Sequence, residues 1–202
     1  MNKKELIERF IDWNPNIAQA MMDCDHAYSP SHQNPWHLEG SVWEHTMMVL
    51  DYAAALEMNH YTYNDIINEH IHYRGDYARA YDRHLLMYAA LLHDIGKIYT
   101  RFEKHEKKRV AFFGHENYSI QPAIDFLVYE NVSAYDIEII INLIGLHMRA
   151  HKIQSNEALY ELAHCDRYLH KMLYAMNLCD GNGRIAGPET AGVEQHFEYE
   201  EI

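Results

Sequence analysis

The feature that most restricts this chain is the adjacent pair His93-Asp94, set in Leu91-Leu92-His93-Asp94-Ile95-Gly96-Lys97 at the end of an apolar run with helical spacing. Leu86, Ala89, Ala90 and His93 share one face of a helix expected over residues 84–95, with Gly96 as its stop. A carboxylate carried to a core face is costly unless a cation meets it. Asp94 and a second such residue, Asp180, have no Lys or Arg beside them on the same helical face, although Lys97 and Arg184 are close in sequence. A bound metal ion is the expected counter-charge, so the fold must bring several helices to one point.

Other helices supply further donors. Ser41-Val42-Trp43-Glu44 is a capping box that opens a helix to about Leu56, in which Val42, His45, Thr46 and Val49 share a face. A helix starting at Ser133 carries Ile137, Ile140, Ile141 and Ile144 towards His147 at its inner edge. Another, over residues 166–179, buries Leu169, Met172, Leu173 and Met176, and one more turn of that face reaches Asp180. His115 precedes a helix expected over 117–129, with Pro122 tolerated in an early turn. The candidate ligands are thus His45, His93, Asp94, His115, His147 and Asp180. Nitrogen and oxygen donors together suit Mn, Fe, Ni, Co or Zn more than Ca, with Mg also compatible.

Elsewhere, Asn14-Pro15 starts a helix, residues 26–40 read as an irregular loop, and Ser155-Asn156 caps a short helix to 164. Residues 99–113 read as a short β-hairpin with a charged turn at 103–109. The Tyr- and His-rich stretch 59–83 is expected to hold a helix near 65–72 and a turn at 74–76. It could wall a pocket or serve as an ordinary amphipathic helix. The pattern breaks at 181–187, and the acidic end 194–202 reads as loose. The remaining histidines, His26 and His151 among them, lack a partner pattern and read as surface or locally hydrogen-bonded groups.

The 202 residues suit a single all-α domain, with its core over about 34–185. A formal net charge of −13 and the lack of a basic stripe argue against a grip on long nucleic acid. A small phosphorylated substrate remains compatible, because bound divalent cations reverse the local field. Cys24, Cys165 and Cys179 have no metal-type spacing and fit a reducing compartment. With no signal-like start and no membrane-length apolar stretch, a cytoplasmic location is the expectation.

Four extended pieces carry a resemblance. They are His37-Leu38-Glu39-Gly40-Ser41-Val42-Trp43-Glu44-His45-Thr46, Leu92-His93-Asp94-Ile95-Gly96-Lys97, Gly114-His115-Glu116 and Cys179-Asp180-Gly181-Asn182-Gly183-Arg184. In this order they resemble the HD superfamily of metal-dependent phosphohydrolases, most of all the HD domains of bacterial CCA-adding enzymes and RNA end-healing proteins. The resemblance implies an all-α HD-domain bundle with a first metal on His45, His93, Asp94 and Asp180. It also implies a second metal on His115 and His147, bridged by Asp94; the alternative for His115 is a substrate-binding or acid role beside a single metal.

The implied chemistry is cleavage of a phosphomonoester or phosphodiester of a nucleotide or RNA end by a metal-activated water. Asp94 would be central to catalysis. Lys97 could reach a phosphate oxygen, and His37 could protonate a leaving oxygen. Glu39, Arg149 and Arg184 are candidate substrate contacts. An alternative within the superfamily is a di-iron oxygenase acting on a small polar organic substrate, and a third is a non-catalytic nucleotide sensor.

Overall fold

The computed structural model describes residues 1–56, 75–153 and 155–185, and for 75–81 the backbone only. The expected helix near 65–72, the pocket wall assigned to 59–83 apart from its last residues, and the loose end 194–202 lie outside the described residues.

The fold is all-α apart from one hairpin. In chain order the helices are α1 (Lys3–Trp13), α2 (Pro15–Asp23), α3 (Val42–Ala55), α4 (Gly75–Leu92) and the single turn α5 (Lys97–Thr100). The hairpin strands β1 (Arg101–Lys104) and β2 (Arg109–Phe112) follow, then α6 (His115–Tyr129), α7 (Ala134–Ala150), α8 (Asn156–Leu162) and α9 (Arg167–Asn182). Most start where the sequence places a cap. Asn14 accepts from Ile17 N before Pro15, and Ser133, Ser155 and Asp166 accept from the third residue on. Ser41 and Glu44 close a reciprocal capping box.

Helix α4 is the axis of the bundle. Every residue from Leu85 to Leu92 is buried, because the run has no polar face and α3, α6, α7 and α9 surround it. It begins at Gly75, where a turn and then a later start at 84 were expected, and it ends at Leu92 rather than Ile95. Helix α1 was not anticipated from the sequence. Leu6 and Phe10 are fully buried at i, i+4 spacing, and the Phe10 ring meets Phe126 of α6 edge-on at 5.3 Å. Arg9 then pairs with Glu130 at 2.9 Å, tying α1 to the end of α6. Pro122 falls in the middle of α6 rather than in an early turn, because the helix starts at His115, and α9 runs to Asn182 past the expected break.

Two glycines are required by close approach. Gly96 has ordinary right-handed dihedrals, φ −60° and ψ −19°, so it is not the left-handed helix stop that its position suggests. A Cβ there would lie 2.0 Å from the His115 carbonyl oxygen and 2.8 Å from Ser119 N. Gly183 presses on α3, where a Cβ would lie 2.5 Å from Val49 Cγ2. Both contacts join segments that carry candidate ligands. At the first, Ser119 acts as a clamp: its Oγ accepts from Gly96 N at 2.8 Å and lies 2.6 Å from the His93 carbonyl oxygen.

Replacing Gly96 by Ala is expected to cost about 1–3 kcal/mol or more, since the new methyl group meets backbone rather than a movable side chain. Denaturant unfolding of Gly96→Ala against the parent checks this; an unchanged midpoint would show that α4 and α6 are not in close contact there.

Candidate metal centre

All six candidate ligands converge at the middle of the bundle. His45 comes from α3, His93 and Asp94 from the turn after α4, His115 from the first residue of α6, His147 from α7 and Asp180 from α9. Each is buried, the most exposed being Asp180 at 7%.

The imidazoles are held in one tautomer. His93 Nδ1 donates to the Ala90 carbonyl at 2.9 Å, His115 Nδ1 to Phe112 at 2.9 Å and His147 Nδ1 to Ile144 at 2.6 Å. All three are the same local device, a ring bonded to the carbonyl three residues back. His45 Nδ1 lies 3.0 Å from the Gly183 carbonyl oxygen and 3.1 Å from Glu39 Oε1. A carbonyl only accepts, so each ring carries a proton on Nδ1 and turns Nε2 inward, where as a metal ligand it offers a lone pair.

Those lone pairs meet oxygens and one another. His45 Nε2 is 3.0 Å from Asp180 Oδ1 and 3.5 Å from Asp94 Oδ2. His93 Nε2 is 3.4 Å from Asp94 Oδ2, 3.8 Å from Asp180 Oδ1, and has no hydrogen-bond partner among the described residues. On the other side, His115 Nε2 is 3.0 Å and His147 Nε2 3.9 Å from Asp94 Oδ1, and the two nitrogens face each other at 3.3 Å. Acceptors facing acceptors repel unless a positive charge lies between them. Donors about 2.1 Å from one ion stand roughly 3.0–3.4 Å apart when adjacent, which is the spacing of the shorter separations here, from 3.0 to 3.4 Å. The donor set therefore fits divalent metal, and Asp94 directs Oδ2 to one group of donors and Oδ1 to the other.

The electrostatics agree. Burial alone would lower the His45 pKa, but Asp180 and Glu39 outweigh it and raise it to about 9, so a proton can stand between these groups when a metal does not. Burial carries His147 down to about 3, with His93 adding to the effect. Burial opposes ionisation of Asp94 and Asp180, yet their cationic surroundings hold both well below the usual carboxylate range.

Lys97 differs from its expected place as a mobile group past the helix end. It is 5% exposed, with Nζ 2.7 Å from Asp94 Oδ2 and 3.2 Å from His26 Nε2. Asp94 therefore does have a protein cation, supplied across an i,i+3 turn. His26 is fully buried, donates Nδ1 to the Gly40 carbonyl and stacks on His37 at 4.3 Å. In the sequence it reads as a surface or locally hydrogen-bonded residue, and its contact with Lys97 was missed because its loop gives no periodic signal. His151 was also missed, although it lies one turn beyond His147; its Nε2 is 2.5 Å from Asp180 Oδ2.

The outer candidates separate. Glu39 has both oxygens engaged, Oε1 by His37 Nδ1 at 2.7 Å and by His45, and Oε2 by Ile185 N at 3.0 Å. That geometry orients His45 and gives each oxygen a partner within the protein. His37 is lowered to about 4, chiefly by burial, so its ring is neutral near pH 7. Arg184 stacks on Trp36 with its guanidinium carbon 5.4 Å from the ring centre. Arg149 is exposed, and two residues after His147 it points about 200° away round α7. It does not join the cluster.

A family model described as HD domain matches residues 42–181, more than half of the chain. No curated protein and no solved structure matches.

Glu39→Gln should weaken metal binding by about 10–100-fold while keeping all six donors, as expected for loss of the group that orients a ligand histidine. Titration against a competing chelator measures it. Parent-like affinity would mean that Glu39 does not hold His45.

Proposed function

The chain belongs to the HD domain family of metal-dependent phosphohydrolases, and from that premise we propose that it cleaves a phosphomonoester or phosphodiester of a nucleotide or an RNA end. The observation that carries this reading is Asp94, whose Oδ2 faces His45 and His93 while its Oδ1 faces His115 and His147. The two groups of buried donors support a pair of divalent cations sharing that carboxylate, with Asp180 completing the first. When bound, such ions would lower the pKa of water towards neutral and would offset charge on a phosphoryl group.

The chain's own residues do the rest. Lys97 uses two of its three N–H donors on Asp94 and His26, and the third is available to a phosphoryl oxygen. Held by burial, this ammonium is aimed before substrate arrives. His37 has its Nδ1 fixed on Glu39, and its Nε2 has no partner among the described residues. A phosphate dianion beside the ring favours the charged imidazole, which then protonates the leaving oxygen. His151 and Glu39 orient Asp180 and His45 and touch no substrate.

Metal-dependent phosphate release from a panel of nucleotides, including 2′,3′-cyclic and 3′-phosphate compounds, tests the proposal. Release should need added divalent metal, vanish with chelator and fall to background in Asp94→Ala. Turnover unchanged in that variant would overturn it, and oxygen uptake by an iron-loaded protein without phosphate release would favour the oxidative alternative.

Lys97→Met keeps the length of the side chain and removes its charge. It should lower kcat far more than it changes KM if the ammonium acts mainly in the transition state. Steady-state kinetics on the best substrate of the panel decide this; a rise in KM alone would make Lys97 a ground-state contact.

A further inference from the structure

A cavity of about 340 Å³ lies between the loop 26–40 and the β1–β2 hairpin, and the metal chemistry makes no use of it. His26, Tyr28, Trp36, Lys104, Lys107 and Arg109 line it. His26 is also the partner of Lys97, so the cavity shares a wall with the Asp94 site. Its size is at the lower end of the range of about 300–1,000 Å³ for small-molecule sites. One nucleotide unit fits that range and a duplex does not.

The cavity is built rather than incidental. Arg101 reaches from the hairpin to the carbonyls of Asp25 and Ala27 at 3.1 and 3.2 Å. The Tyr28 hydroxyl pairs with His105 Nδ1 at 3.0 Å, and Arg184 stacks on the Trp36 ring. Loop and hairpin are therefore tied together across the space they enclose.

Its charge is anomalous. Lys104 and Arg109 are direct partners in the antiparallel ladder, and like charges directly opposite are destabilising. Lys107 stands in the connecting turn between them. Among the described residues, none of the three forms an ion pair with a carboxylate, although the chain carries a formal charge of −13. Lys104 Nζ lies over the Phe113 ring at 4.5 Å, and Lys107 and Arg109 are exposed, so this cluster of cations without a carboxylate partner suits an anionic ligand. Trp36, 39% exposed, and Tyr28 offer flat faces to a planar ring beside them.

We propose that this cavity is a substrate subsite for one nucleotide unit bearing a phosphate besides the one to be cleaved: the base against Tyr28 and Trp36, the second phosphate on Lys104, Lys107 and Arg109. This rests on the phosphohydrolase reading for its link to catalysis. It is independent of that reading as a binding site.

The test is stopped-flow tryptophan fluorescence of the metal-loaded protein, read before turnover, with adenosine 3′,5′-bisphosphate and adenosine 5′-monophosphate as probes. Trp13 and Trp43 are packed around Phe10, so a change in emission reports Trp36, and Trp36→Leu should abolish it. The bisphosphate should bind at least about tenfold more tightly, the worth of a charge-assisted hydrogen bond. The preference should collapse in the triple variant Lys104→Ala, Lys107→Ala, Arg109→Ala, and Lys107→Glu alone, at an exposed position, should also weaken it. Equal affinities in parent and triple variant, or no response from Trp36, would overturn the subsite. A short oligoadenylate with a 3′-phosphate distinguishes the sources: tighter binding than the bisphosphate assigns a chain end, equal binding a free nucleotide. Loss of hydrolysis with this response intact would overturn the phosphohydrolase reading and leave the subsite standing.

Discussion

The buried carboxylate of Asp94 is the constraint on which the rest of the structure depends. Its side chain is 2% exposed, at the centre of a bundle whose α4 has no polar face from Leu85 to Leu92. A charge in that position is tolerated only if every neighbour contributes to its neutralisation. Lys97 contributes one positive charge from the next turn, and His45, His93, His115 and His147 surround the two oxygens. Lys97 alone does not satisfy the centre, because four inward Nε2 lone pairs and the Asp180 carboxylate add electron density to it. The bundle is arranged for cations that the protein itself does not supply.

Most of that arrangement was legible in the sequence, because it lies on helices. Period 3.6 placed His45, His147 and Asp180 on the same faces as Val49, Ile144 and Met176, and the caps at Ser41, Asn14, Ser133 and Ser155 fixed where the helices begin. What escaped has no period to follow. His26 is brought to Lys97 by an irregular loop held through Gly40 and Arg101, and no local pattern reports such a contact. Lys97 read as a mobile group just past a helix end at Gly96, able to reach a phosphate oxygen; instead it opens α5 and is buried. Helix α1 was overlooked among its charges, and only the packing of Phe10 against Phe126 makes its short apolar stripe decisive. Gly96 was seen as important for the wrong property, its backbone freedom, when its lack of a side chain is what the contact with α6 demands.

The repeated bond from Nδ1 to the carbonyl three residues back has a consequence for precision. His93, His115 and His147 each take their orientation from their own backbone, and so need no separate outer residue to hold them. His45 sits in the first turn of α3 and depends on Gly183 and Glu39 instead, groups from the end of α9 and from the loop before α3. That difference makes His45 the ligand through which changes outside the bundle reach the centre. The contact between Gly183 and Val49 is the hinge of this dependence, since it sets the distance between α3 and the carbonyl that His45 needs.

In the proposed subsite, choosing the substrate is separate from holding the metal. Donors are fixed by helices and by bonds within a few residues, whereas the loop 26–40 and the hairpin, which flank Lys97 and His37, contribute no donor to the Asp94 centre. In that proposal, a change of side chain at Lys104, Lys107 or Arg109 alters which molecule is admitted without touching a donor. The two parts meet where His26 touches Lys97, where Glu39 and the His37 ring touch His45, and where the Phe112 carbonyl at the end of β2 holds His115. A substrate that displaces the loop therefore acts on the centre through the first two of these contacts. Their burial, with His26 fully enclosed and Glu39 bonded at both oxygens, makes that coupling stiff.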